Sequence, residues 1–289
     1  MKKIAITLSL FLVSLVSNAQ LLSDSLKIAG NYRSFHFNKP ENGTAGFSLV
    51  FVLHGSGGNG KGVRNGAMSL EKIADREKVI VVYPDGYKRY WNECRKAATS
   101  QANVENIDEN AFFDGMISYF HQKYKIDPKR VFVVGTSGGG HMAYKLALTM
   151  PDKFRAIAAI IASLPSDSNM DCAPVGKPMS VLIINGTNDP LNRYEGGEMR
   201  TGDVYLGTVR STQDTFRYWA ALSGYHGEPK MTLLPDKDPS DGKTIERYAY
   251  AAKKREVVLL KVINGKHDYP KDIDVHLEAW AFFKRQLNH

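Results

Sequence analysis

Val131-Phe132-Val133-Val134-Gly135-Thr136-Ser137-Gly138-Gly139 decides the fold. Four apolar residues without alternation read as a strand buried on both faces. The next five fit G-x-S-x-G. A helical pattern follows, with Met142, Leu146 and Ala147 on one face, and stops before Pro151. A serine between such a strand and helix sits on a sharp, strained turn. Its hydroxyl stands clear of the backbone, and the glycines let strand and helix approach each other. G-x-S-x-G alone is common; its position between strand and helix makes it informative.

Further apolar runs lie on either side: Phe47–Leu53, Val79–Tyr83, Ala156–Ile161, Met179–Ile184 and Val257–Ile263. Helical segments separate them. Leu70 to Ala74 opens an amphipathic turn. Asp108 to Tyr124 repeats Phe112, Met116, Tyr119 and Phe120 at helical spacing, with Asp108 or Asn110 as cap. Thr212 to Leu222 is a third helix. Ile273 to Leu287 is a terminal one, with Leu277, Trp280, Ala281 and Phe283 expected inward. Strand–helix alternation predicts an α/β doubly wound fold, a mostly parallel central sheet flanked by helices on both faces. Two polar stretches, Asn192–Arg210 and Pro235–Lys243, read as surface loops.

A serine hydroxyl needs a base within hydrogen-bond reach. In α/β-hydrolases the partners follow in the order serine, acid, histidine. Asp189 comes just after the Met179–Ile184 run, and His267 just after the Val257–Ile263 run. Both fall at strand C-terminal ends, the edge of an open α/β sheet where sites form. Asp268 and Asp203 compete for the role of acid. His54 ends a strand but lies early in the chain and begins a Gly-rich loop, while His141 lies one turn into the helix after Ser137 and reads as structural. The oxyanion donors expected are the Gly138 amide and, from the loop His54-Gly55-Ser56-Gly57-Gly58, the Ser56 amide. Losing one such donor costs about 3–4 kcal/mol of transition-state stabilisation. Gly55 to Lys61 also fits G-x-x-x-x-G-K, but Gly62 stands where a phosphate loop needs Ser or Thr. No metal-ligand spacing is present, so neither metal nor cofactor is expected.

The N-terminus follows another logic. Met1-Lys2-Lys3, an apolar run from Ile4 to Val16 and the small residues Ser17-Asn18-Ala19 have the layout of a secretory signal peptide. The run is shorter than the roughly 20 residues that span a bilayer. Residues 1–19 are therefore expected to be removed, leaving 20–289 as a single catalytic domain. That domain would be secreted or periplasmic, with no stable membrane insertion. Formal charge is +8, and losing Lys2 and Lys3 leaves +6. The basic residues are scattered among acids without a nucleic-acid motif, so no nucleic-acid partner is expected. Cys94 and Cys172 are the two cysteines. In an exported protein they can pair, or stay two separate buried residues.

The anchors Leu53–Gly58 (LHGSGG), Tyr83–Gly86 (YPDG) with Trp91-Asn92, Asp127–Ala143, Asn185–Gly197 and Asn264–Pro270 (NGKHDYP) resemble one family. It comprises exported α/β-hydrolase esterases, including poly(3-hydroxybutyrate) depolymerase-like proteins and feruloyl and acetylxylan esterases. The resemblance runs from Ser48 to the C-terminus. It implies Ser137, Asp189 and His267 as a triad, in agreement with the residue-level reading. It also implies a pocket lined near Trp91 and by Tyr269, although a tryptophan is as often buried for packing alone. The family often has Gly-Gly before the histidine and Trp two after it; here Gly265-Lys266 and Tyr269 stand there. The expected substrate is a small-molecule or polysaccharide-linked ester, feruloyl, aryl or acetyl. A polyester depolymerase, a serine peptidase and a non-catalytic carbohydrate-binding protein are the alternatives on the same fold.

Overall fold

The computed structural model describes residues 21–252 and 254–287. The expected signal peptide, 1–19, and Gln20 lie outside the described residues. The chain opens with β1 (Leu22–Ile28) and β2 (Asn31–Asn38), a hairpin turned by left-handed Ala29 and Gly30. There follow β3 (Phe47–Leu53), α1 (Gly60–Gly66), α2 (Met68–Glu77), β4 (Val79–Pro84), α3 (Gln101–Val104), α4 (Glu109–Tyr124), β5 (Ile126–Thr136) and α5 (Gly138–Thr149). Then come β6 (Ala156–Ile160), β7 (Ser180–Gly186), β8 (Gly197–Thr201), β9 (Val204–Val209) and α6 (Thr212–Leu222). The last elements are β10 (Lys230–Leu233), β11 (Thr244–Tyr250), β12 (Val257–Ile263) and α7 (Val275–Gln286).

Ten strands form one sheet, in the order β1-β2-β4-β3-β5-β6-β7-β12-β11-β10. The run from β4 to β12 is parallel, and the pairs outside it are antiparallel. The parallel strands are the unalternating apolar runs of the sequence. Each puts side chains into both of two cores: Leu49, Phe51 and Leu53 of β3 enter one, Val50 and Val52 the other. The first core packs under α4, α5 and α6 through Phe112, Met142 and Phe216. The second packs under α2 and α7 through Leu70, Trp280 and Phe283. Asp108 caps α4 by accepting from the Ala111 amide.

Several expectations change. Asn192–Arg210 is no simple loop, because β8 and β9 pair as a separate ribbon. Met199 and Val209 are their buried apolar side chains, whereas Val204 and Tyr205 are exposed and Gly207 ends the stretch after Leu206, so the apolar run is too short to announce a strand. Leu277 is exposed; α7 turns Val275, His276, Ala279, Trp280, Phe282 and Phe283 inward instead. Cys94 and Cys172 form a disulfide.

Candidate active site

Ser137 alone connects β5 to α5. Its backbone has φ 54° and ψ −118°, a conformation that costs a non-glycine residue on the order of 1–3 kcal/mol. The surroundings hold it there. The Ser137 amide donates to the Ile160 carbonyl at 2.9 Å, and the His141 amide donates to the Ser137 carbonyl at 3.0 Å. A side chain at Gly135 would collide with the Gly139 carbonyl, and one at Gly139 with the carbonyls of Leu53 and His54. The glycines of G-x-S-x-G are therefore demanded by backbone contact.

The three expected residues meet. His267 Nε2 lies 3.0 Å from Ser137 Oγ, and His267 Nδ1 lies 2.7 Å from Asp189 Oδ2. An ionised carboxylate only accepts, so Nδ1 carries the proton and Nε2 presents its lone pair to the serine hydroxyl. Asp189 Oδ1 accepts from the amides of Leu191 at 2.8 Å and Asn192 at 2.9 Å. Neither competing acid reaches the imidazole: Asp268 pairs with Lys243 at 3.2 Å, and Asp203 sits in the turn of the β8–β9 ribbon.

Behind Asp189 lies a buried polar cluster that the sequence reading passed over. Asn185 Nδ2 donates to the Ala162 carbonyl at 3.0 Å, to Ser163 Oγ at 3.2 Å and to Thr212 Oγ1 at 2.8 Å. Asn192 Nδ2 adds a bond to Ser163 Oγ at 3.3 Å. Asn185 and Asn192 both belong to the quoted Asn185–Gly197 anchor. Nothing near Ser163 or Thr212 marked them in advance.

Ser56 and Gly138 adjoin: a Cβ built on Gly138 would stand 2.9 Å from the Ser56 nitrogen, and one on Gly55 would stand 4.0 Å from Ser137 Oγ. The Ser56 loop is braced from behind. Gly86 N–H donates to His54 Nε2 at 2.9 Å, so the proton sits on Nδ1, which donates to the Gly55 carbonyl at 2.8 Å. Burial pushes His54 below its ordinary value and keeps it neutral for this task. Trp91 Nε1 donates to the His54 carbonyl at 2.9 Å, and the two rings lie 4.8 Å apart. Trp91 thus packs as a brace while one side of it lines a cavity. The rival phosphate-loop reading of Gly55–Lys61 meets an obstacle here: the Gly60 amide is taken by Asp85 Oδ1 at 2.7 Å, and Asn59 caps α1.

Two hollows flank this wall. An open cleft of about 380 Å³ holds Ser137, His267, Asp268, Tyr269 and Ile161. Tyr269 is fixed there by a 2.6 Å bond between its hydroxyl and Thr136 Oγ1. A cavity of about 480 Å³ lies on the other side, lined by Tyr90, Trp91, Glu93, Arg95, Ser100 and Asn103 among others. Ser56 borders both hollows.

A family model described as the alpha/beta hydrolase fold matches residues 50–216, more than half of the sequence. The chain belongs to the α/β-hydrolase family. Among relatives of this α/β-hydrolase, "Probable feruloyl esterase C" of Aspergillus oryzae is 30% identical over 192 residues, covering 64% of this chain and 62% of that one. Among solved structures, an acetyl xylan esterase from Aspergillus awamori superposes with a TM-score of 0.61 at 18% identity, over 90% of this chain and 99% of that one. A ferulic acid esterase from Anaeromyces mucronatus gives 0.56 at 13%, over 91% and 89%. At these identities the two structures share the fold with this α/β-hydrolase.

Proposed function

We propose that this α/β-hydrolase is a serine carboxylic ester hydrolase working through an acyl-enzyme. The observation that carries the reading is the relay of 3.0 Å from Ser137 to His267 and 2.7 Å from His267 to Asp189. Ser137 Oγ attacks the ester carbonyl carbon as its proton passes to His267 Nε2. The oxyanion is received by the Ser56 and Gly138 amides. The tetrahedral carbon then expels the alkoxide, which takes the proton from His267. Water, deprotonated by the same imidazole, attacks the acyl-enzyme and releases the acid.

Feruloyl, aryl or acetyl esters on plant polysaccharide are the proposed substrates. The names carried by the Aspergillus relatives support this class, as does the open cleft beside Ser137 and His267. The leaving oxygen must lie beside His267 Nε2, so the alcohol occupies the open cleft. The acyl group then points past Ser56 and Gly138 toward the cavity. At about 480 Å³ that cavity falls within the ~300–1,000 Å³ of small-molecule sites, which favours an arylacyl group over acetyl. The leader-like residues 1–19 support export. No helix among the described residues is long and apolar enough to cross a membrane.

The test is a panel of 4-nitrophenyl acetate, methyl ferulate and 3-hydroxybutyrate oligomers, run with wild type and Ser137→Ala, alongside fluorophosphonate labelling. Turnover and labelling are expected in wild type alone. Equal rates in both proteins, or no labelling of Ser137, reject the reading. Turnover of hydroxybutyrate oligomers in preference to methyl ferulate would move the substrate to polyesters.

A further inference from the structure

We propose that the Glu93–Arg95 pair selects acyl groups bearing a hydroxyl at the end away from the carbonyl. The inference rests on the ester-hydrolase reading, which sends the acyl group to the cavity beyond Ser56 and Gly138. Glu93 and Arg95 line that cavity, with side chains 3% and 6% exposed. Charged groups this buried in the wall of a ligand-sized hollow carry a heavy desolvation cost unless something there uses them.

The pair satisfies itself only in part. Arg95 Nε and NH2 both reach Glu93 Oε1 at 2.8 Å, and the Arg95 amide donates to Glu93 Oε2 at 3.0 Å. Among the described residues, the remaining guanidinium nitrogen, NH1, meets only the Met199 sulfur at 3.6 Å, a weak acceptor. A carboxylate has about four lone-pair sites, so Glu93 also keeps accepting capacity. The pair therefore offers a donor and an acceptor side by side. A hydroxyl complements both, donating to Glu93 and accepting from Arg95. An apolar end would leave the donor with sulfur alone, and an anionic end would face the Glu93 carboxylate.

The segment cannot easily swing away. The Asn92 amide donates to Glu109 Oε1 at 3.2 Å, Lys145 Nζ donates to the Asn92 carbonyl at 2.6 Å, and Cys94 is bonded to Cys172. Trp91 is tied to His54 as described above. Partners held this firmly are preorganised, which is the condition for discrimination. Tyr90 and Trp91 supply flat walls along the way. Two kinds of acyl group share the required chemistry: phenolic arylacyl and hydroxyalkanoyl.

The experiment measures kcat/KM for matched methyl esters: 3-(4-hydroxyphenyl)propanoate against 3-phenylpropanoate, and 5-hydroxypentanoate against pentanoate. In wild type the hydroxylated member is expected to win by about ten- to a hundredfold in at least one pair, as for a hydrogen bond to a charged group. Which pair shows the larger ratio tells phenolic from aliphatic acyl groups. In the double variant Glu93→Leu/Arg95→Met, which removes both charges at similar volume, the ratio falls toward one. In Arg95→Lys, which keeps the charge but loses the fork, it falls several-fold. A wild type without preference overturns the proposal, whatever the variants do. So does a ratio that survives in the variants while both rates drop together, the mark of a purely structural pair. If wild type turns over no ester at all, the ester-hydrolase reading fails and takes this one with it.

Discussion

The loop after β7 and the loop after β12 meet over Ser137, yet they are held by different means. Asp189 is 4% exposed and grips the amides of its own loop, with Asn185, Ser163 and Thr212 packed behind it. His267 stands between the exposed residues Lys266 and Asp268, and among the described residues its ring bonds only to Asp189 and Ser137. Support on its side comes through Tyr269, whose ring meets His276 edge-on at 5.7 Å. The acid therefore rests on a non-titrating amide and hydroxyl cluster. The base leans on a buried histidine, and depends on the acid for its orientation.

The sharpest way to break this comparison is Asp189→Asn. An amide can donate to His267 Nδ1 and fix the wrong tautomer. A fall in kcat of about 10⁴ is expected with the fold intact. Stopped assays showing less than a tenfold loss would mean that His267 is oriented by something else.

Acid should reach the base's side through His276. Burial lowers its pKa from 6.5 to about 4, and its Nε2 has no hydrogen-bond partner among the described residues. Between those values the unfolded chain binds a proton that the folded chain refuses. The contribution is thus complete above about pH 6.5 and is lost as pH falls toward 4, amounting to about 3 kcal/mol. Burial depresses His54 and His141 in the same direction, His141 well below its ordinary value. Thermal melts from pH 7 to 4.5 should therefore fall less steeply in His276→Leu than in wild type. Parallel curves would remove His276 from the argument.

On the acid's side, Asn185→Leu takes from Ala162, Ser163 and Thr212 the hydrogen bonds that each makes with it. A loss of about 2 kcal/mol is expected in chemical denaturation. A neutral result would show that the cluster is dispensable. The smallest effect belongs to Lys243→Met, which deletes the pair with half-exposed Asp268. Such pairs contribute about 0–1 kcal/mol, and a Tm within a degree or two of wild type is expected. A large drop would mean that the base's loop is held more firmly than its contacts suggest.

The parallel strands were legible because they are buried on both faces, which leaves unbroken apolar runs such as Phe47–Leu53. Ser137, Asp189 and His267 were legible because each ends such a run. The edge strands were not: β1 reads Leu22-Ser-Asp-Ser-Leu-Lys-Ile28, half-buried at alternate positions, and a search for continuous runs passes over it. The β8–β9 ribbon was hidden for a similar reason, since its apolar residues Val204 to Leu206 make only a short, mostly exposed stretch before Gly207. Glu93 and Arg95 carry no local pattern at all. Their neighbours in the cavity come from distant stretches of chain, and only the closed fold brings them together.

The antiparallel hairpin at the far end of the sheet has a practical side. With β1 as the outermost strand, Leu22 lies several strands away from the rim where Ser137, Asp189 and His267 converge. A purification handle or a solid support joined just ahead of Leu22 would leave the approach to Ser137 unobstructed, so immobilised preparations should accept bulky esters as readily as free ones.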